Sequence, residues 1–288
     1  MTINYNSATA LRAFLDREGL GMRKKFGQNF LINGETRKAL VRALDAQSGD
    51  EVWEIGPGLG AMTALLLETG LKVKAFEIDT GFIRILKNIF SENKNFTLIE
   101  GDVMKTWREH QAAPFLFGNL PYNVAAALLA DLIENDRIFS RMVVTVQKEV
   151  ALRMAATAGK PDYSSFSVLC ASAYKIKPLL TIRPSSFYPQ PNVDSMAVLL
   201  EKKAARQYPV VFYPLVRTLF ASRRKTIKNN LLNFLSSRFG DSLQNKSAVQ
   251  DLCASVLQSN SLNGAERAES LGQETFLSLA LSIDNMRL

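Results

Sequence analysis

Between Glu51 and Val146 short apolar runs alternate with helical spacing, and this alternation limits the folds open to the chain. The runs are Glu51–Ile55, Lys72–Ile78, Phe96–Glu100, Pro114–Phe117 and Met142–Val146. Apolar residues at helical spacing fill Leu59–Thr69, Gly81–Phe90 and Val124–Ile133. Repeated strand–helix units predict a parallel sheet with helices on both faces. In such sheets ligands bind beyond the carboxyl ends of the strands, so those ends are where chemistry is to be sought.

The flanks add to this core. Residues 7–18 read as an amphipathic helix, and Asn33 is placed to cap a helix reaching about Ala46. After Cys170, Tyr174–Ile182 and Ser195–Leu200 read as two strands with no helix between them. They predict a hairpin that adds an antiparallel edge strand. From about Ala204 the chain is helical, with Ile227, Leu231, Phe234 and Leu235 on one face. The expected division is an α/β domain over 1–205 and a small all-α domain over 206–288.

Composition narrows the function classes. Hydrophobic residues are 47% of the 288, enough for a sizeable core, and the net charge of +8 favours a polyanionic partner. The helical part contributes 10 basic against 6 acidic residues. Two cysteines, Cys170 and Cys253, sit in apolar stretches and form no metal-binding cluster. With His110 as the one histidine, zinc chemistry and Ser-His-Asp catalysis have no material. No signal peptide or long apolar span is visible, so a soluble cytoplasmic protein is expected.

Three strand ends point to a nucleoside-containing cofactor. Glu54-Ile55-Gly56-Pro57-Gly58-Leu59-Gly60 follows the first strand of the alternation, and its glycines allow close backbone approach to a ligand. The G-x-G-x-G spacing is not the G-x-G-x-x-G of dinucleotide sites, which argues against a nicotinamide oxidoreductase. Glu77 ends the next strand, where an acidic residue accepts from ribose hydroxyls. Asp79 is its rival, and Glu77 is preferred. Asp102 follows the third strand, where a carboxylate can accept from an adenine amine. Ile78 and Val103 are counted with these contacts.

Gly118-Asn119-Leu120-Pro121-Tyr122-Asn123 follows the fourth strand and carries the chemistry. An aromatic amine is a poor nucleophile because its lone pair is delocalised. The Asn119 side-chain oxygen and the Leu120 carbonyl can accept its two hydrogens and localise that pair. Pro121 restricts Leu120 to an extended conformation, and Tyr122 can stack on an extruded base. A proline-rich loop, 184–195, offers Phe187 or Tyr188 for the opposite side of the base. Arg23, Lys24 and Lys25, and Arg223, Arg224, Lys225 and Lys228, are the candidate RNA contacts.

These segments together resemble the small-subunit (16S) ribosomal RNA adenine dimethyltransferase family. The matching pieces are GQNFL (27–31), EIGPGLG (54–60), FEID (76–79), GD (101–102), GNLPYN (118–123), QKEV (147–150), FYPQPNVDS (187–195), SRRKTIKNNL (222–231) and RAE (267–269). The resemblance implies a class I (Rossmann-like) methyltransferase fold with a seven-stranded, mostly parallel sheet. It implies S-adenosyl-L-methionine as methyl donor and no metal. Asn29 and Leu31 join Gly56, Gly58, Glu77, Asp102 and Asn119 as donor contacts, and Phe187 stacks on the target base. The implied reaction forms N6,N6-dimethyladenosine at two adjacent adenosines near the 3′ end of small-subunit rRNA during subunit biogenesis. A monomer is the default expectation. Residues 163–168 (YSSFSV) depart from the family pattern, which usually has Gly after Tyr and Leu before Ser-Val.

Three alternatives compete. The erythromycin-resistance methyltransferases share the donor and base motifs but act on large-subunit rRNA. A non-catalytic ribosome assembly factor on the same fold has no need of an intact Gly56, Glu77, Asp102 and Asn119. DNA adenine and protein amide methyltransferases usually carry Pro-Pro-Tyr where this chain has Leu120-Pro121-Tyr122.

Overall fold

The structure is a computed structural model that describes residues 3–21, 28–121, 124–243 and 246–286. It divides into two compact units: Met1–Ala151 with Tyr174–Lys202, and Leu152–Ala173 with Lys203–Leu288.

The first unit opens with α1 (Ala8–Arg17), capped by Ser7 and burying Leu11, Phe14 and Leu15. The short strand β1 (Phe30–Leu31) leads to α2 (Gly34–Leu44). Asn33 caps α2 by accepting the Thr36 N–H at 2.9 Å. The strand–helix alternation then runs through β2 (Glu51–Ile55), α3 (Ala61–Glu68), β3 (Lys72–Glu77), α4 (Thr80–Phe90), β4 (Phe96–Glu100), α5 (Val103–Thr106), β5 (Phe115–Asn119), α6 (Ala125–Glu134) and β6 (Arg141–Gln147). The last helix of this run, α7 (Lys148–Ala155), crosses from the first unit into the second.

After α8 (Ser165–Ala173) the chain returns to the first unit as β7 (Tyr174–Ile182), β8 (Phe187–Tyr188) and β9 (Ser195–Lys202). The expected seven-stranded, mostly parallel sheet is present, with strand order β4-β3-β2-β5-β6-β9-β7. The antiparallel strand is β9, which enters between β6 and β7. Strands β2 and β6 are buried along nearly their whole length because helices cover both faces. The chain leaves β2 for β3 on one side and later fills β5 on the other. The order therefore reverses at β2, and a crevice opens beyond the strand ends there.

The loop expected over 184–195 contains one unexpected element. Strand β8 pairs antiparallel with β1, Phe30 opposite Tyr188 and Leu31 opposite Phe187. Two residues carry no readable periodicity, so this pairing leaves no trace in the sequence.

The second unit holds α8 and four further helices, α9 (Phe212–Ala221), α10 (Ile227–Leu243), α11 (Lys246–Ser259) and α12 (Gln273–Asp284). The expected apolar face of Ile227, Leu231, Phe234 and Leu235 is buried in its core. So are Tyr163 and Val168, with the Tyr163 hydroxyl donating to the Leu271 carbonyl at 3.0 Å. That shared core is why 152–173 groups with the helices, where a single cut at residue 205 leaves it with the sheet. Cys170 and Cys253 are buried free thiols.

Candidate active site

A cavity of about 320 Å³ lies at the carboxyl ends of β2, β3, β4 and β5. Its size falls in the range of small-molecule sites.

The β2–α3 turn forms one wall. Gly58 has φ +58° and Gly60 has φ +86°, left-handed values that favour glycine. A Cβ at Gly60 would meet the Phe90 ring at 2.5 Å, so the turn also packs against α4. The Gly58 N–H donates to Glu77 Oε2 at 3.0 Å. Glu77 Oε1 accepts the N–H groups of Ile78 (2.9 Å) and Asp79 (2.8 Å). Glu77 is only 6% exposed, and burial pushes its pKa up while these three donors pull it down. Its rival Asp79 is engaged elsewhere: Oδ1 caps α4 through Gly81 and Oδ2 accepts from Gln28 Nε2 at 3.0 Å.

Asp102 lines the cavity and caps α5 by accepting the Met104 N–H at 3.0 Å. Val103 lies beside it. Ile78 is 43% exposed, an unusual value for an isoleucine, and it too lines the cavity. Gly56, Asn29 and Leu31 complete the expected set on the same wall system.

Asn119 ends β5 beside the same cavity. Its Nδ2 donates to the Asn29 carbonyl at 2.7 Å, which identifies the nitrogen end of the amide. The opposite atom, Oδ1, is buried and has no hydrogen-bond partner among the described residues. A buried acceptor without a donor is costly, and in a native site it marks a place for a ligand group. The Leu120 N–H donates to the Thr145 carbonyl at 3.0 Å, which holds the peptide that precedes Pro121. Pro121 lines the cavity.

Other expected residues fall elsewhere. Phe187, read as the ring that stacks on the base, is 1% exposed and packs in the sheet core with Leu31 and Ile182. Its pairing opposite Leu31 turns it inward, so that reading is corrected to a core residue. Arg223, Arg224 and Lys225 lie in the turn before α10, and Lys228 in its first turn, all exposed. Arg223 is already committed within the unit, to Glu269 at 3.0 Å and the Pro161 carbonyl at 3.2 Å. Tyr122 and Arg23, Lys24 and Lys25 lie outside the described residues.

The sequence reading missed three polar cavity residues. Gln28 lines it without a motif role of its own. Glu54 lines it too; burial pushes its carboxyl up to about 8, against the Thr63 hydroxyl that donates to it at 2.7 Å. The third is Arg37, on the buried face of α2 with Leu40, Val41 and Leu44. An arginine at helical spacing from three core residues is the one signal that could have revealed it.

Comparison with known proteins places this geometry. The ribosomal RNA adenine dimethylase family matches residues 19–262. A ribosomal RNA small subunit methyltransferase A of Treponema denticola is 49% identical, over 96% of this chain and 94% of its own length. A crystal structure of a dimethyladenosine transferase from Plasmodium falciparum superposes with TM-score 0.74 at 27% identity, covering 87% of this chain and 96% of that one. The 23S rRNA methyltransferase ErmE shares the fold at TM-score 0.61 and 18% identity, covering 88% and 99%.

Proposed function

The chain belongs to the ribosomal RNA adenine dimethylase family, and from that premise we propose that it dimethylates N6 of two adjacent adenosines near the 3′ end of 16S rRNA during small-subunit biogenesis. It acts as a cytoplasmic monomer on the small subunit. S-adenosyl-L-methionine, when bound, supplies an electrophilic methyl group.

The observation that carries this reading is Asn119 Oδ1, buried and without a partner among the described residues, at a cavity suited to a nucleoside. The donor set fits such a molecule. Glu77 accepts from ribose hydroxyls, Asp102 accepts from an adenine amine, and Ile78 and Val103 flank the ring. Gly58 lets the backbone approach closely.

At the target base, Asn119 Oδ1 accepts one N6 hydrogen and the Leu120 carbonyl accepts the other. Both acceptors localise the nitrogen lone pair and aim it along the transfer direction, a positioning contribution. Pro121 holds the Leu120 peptide, and Tyr122 stacks on the base. No general base is needed beforehand, because N6 gains positive charge as the new N–C bond forms and then releases its proton readily. Arg224, Lys225 and Lys228 in the helical unit neutralise rRNA phosphates, with Arg23, Lys24 and Lys25 in the same role.

The test is methyl transfer from labelled donor to under-methylated ribosomal subunits, with nucleoside analysis of the product. N6,N6-dimethyladenosine in small subunits alone is the expected result. Label in large-subunit RNA would favour the resistance-type activity. Tight small-subunit binding without transfer would leave an assembly factor.

A further inference from the structure

Arg37 is a buried charge without a counter-charge among the described residues. It is 5% exposed, and its Nη1 donates to the carbonyls of Leu31 (2.6 Å) and Tyr5 (3.0 Å). Its Nη2 donates to Asn6 Oδ1 at 2.6 Å. All three acceptors are neutral. Among the described residues its buried Nε–H has no acceptor and no carboxylate pairs with it. Burial lowers its pKa, the direction of an uncompensated cation. A guanidinium so placed is costly unless an anion reaches it.

Arg37 also lines the cavity, so that anion can arrive with the ligand. The cavity lining carries both carboxylates and a guanidinium. Glu77 and Asp102, after β3 and β4, suit the nucleoside. Arg37 is tied instead to Leu31, two residues from the Asn29 carbonyl that holds Asn119. The cavity also holds Glu54, a carboxyl suited to an ammonium group, and Tyr5 lies within electrostatic reach of both Glu54 and Arg37. A carboxyl and a guanidinium in one cavity match a zwitterionic amino-acid group. Resting on the donor reading above, we propose that Arg37 binds the carboxylate of the donor's amino-acid end, and so selects for a nucleoside carrying the complete amino acid. The guanidinium fork suits a carboxylate better than an ammonium would.

Calorimetric titration with two ligands tests this. S-adenosylhomocysteine has the carboxylate; S-adenosyl-3-thiopropylamine keeps the nucleoside, thioether and amine but lacks it. Wild type is expected to prefer the first by roughly ten- to a hundredfold, the scale of a charged hydrogen bond. Arg37→Met should erase that preference while binding the amine about as well as wild type, and Arg37→Lys should keep part of it. Equal affinities in wild type would overturn the proposal. So would an equal loss of both ligands in Arg37→Met, which would make Arg37 a structural tie for Tyr5 and Asn6. If Arg37→Met does not fold, the wild-type ratio and Arg37→Lys decide, and a lysine variant binding both ligands as wild type does would overturn it. Failure of wild type to bind either ligand would instead sink the donor reading itself.

Discussion

Asn119→Ala separates stability from activity. The side chain contributes one bond, Nδ2 to the Asn29 carbonyl at 2.7 Å, worth about 0.5–1.5 kcal/mol. It also buries Oδ1 without a partner among the described residues, at a cost of about 1–3 kcal/mol. Alanine removes both, so the terms oppose each other. The variant should unfold within about 1 kcal/mol of wild type, or be somewhat more stable. Transfer loses an acceptor aimed at the reacting amine, and by analogy with removing an oxyanion-hole donor the rate should fall roughly 10²–10³-fold. Urea unfolding of the free protein and single-turnover transfer to small subunits measure the two quantities on one preparation. RNA affinity should be nearly unchanged, because Asn119 does not touch phosphate. A stability loss above about 2 kcal/mol would show that Oδ1 is already satisfied in the free protein. Turnover within threefold of wild type would remove Asn119 from the reacting centre.

Gly60→Ala should cost about 1–2 kcal/mol for its left-handed backbone and about 1–3 kcal/mol more for overpacking against Phe90. Gly49→Ala, with φ +94° and nothing within 4 Å, should cost only the first part; equal losses would discard the steric argument. Glu54 is raised from its ordinary 4.5 to about 8, so the folded state keeps a proton that the unfolded chain has released between those values. Its contribution to stability is full below about pH 4.5 and is lost as pH rises through about 8, so Glu54→Gln should flatten the decline across that window. Glu77, shifted the same way, keeps part of the slope, but an unchanged slope would refute the assignment. Arg224→Glu with Lys225→Glu should weaken rRNA binding and reduce its salt slope by roughly 0.7–0.9 for each phosphate that is no longer neutralised. Arg223 is left intact because its pair with Glu269 serves the helical unit. An unaltered salt dependence would return the cluster to a solvated surface.

The cavity's main wall was legible for a definite reason. Parallel strands joined by helices all end at one edge, so locating the ends of β2, β3, β4 and β5 locates Gly56, Glu77, Asp102 and Asn119 in one crevice. Of the two carboxylates weighed at the end of β3, Glu77 lines the cavity, while Asp79 caps α4 and holds Gln28. Phe187 was misplaced because its orientation depends on pairing with Leu31, more than 150 residues away in sequence. The grouping of 152–173 with the C-terminal helices was invisible for the same reason: Tyr163 and Val168 are apolar wherever they are buried, and sequence does not say in which core.

The sequence alone determined the sheet, the edge at which it binds, and the residue types that meet there, because periodicity and motif spacing are local properties. Only the tertiary structure decided which of those groups are satisfied. Among the described residues, Asn119 Oδ1 and Arg37 Nε are left without partners by neighbours drawn from distant segments. The free energy of a buried polar atom depends on those neighbours and not on its place in the chain.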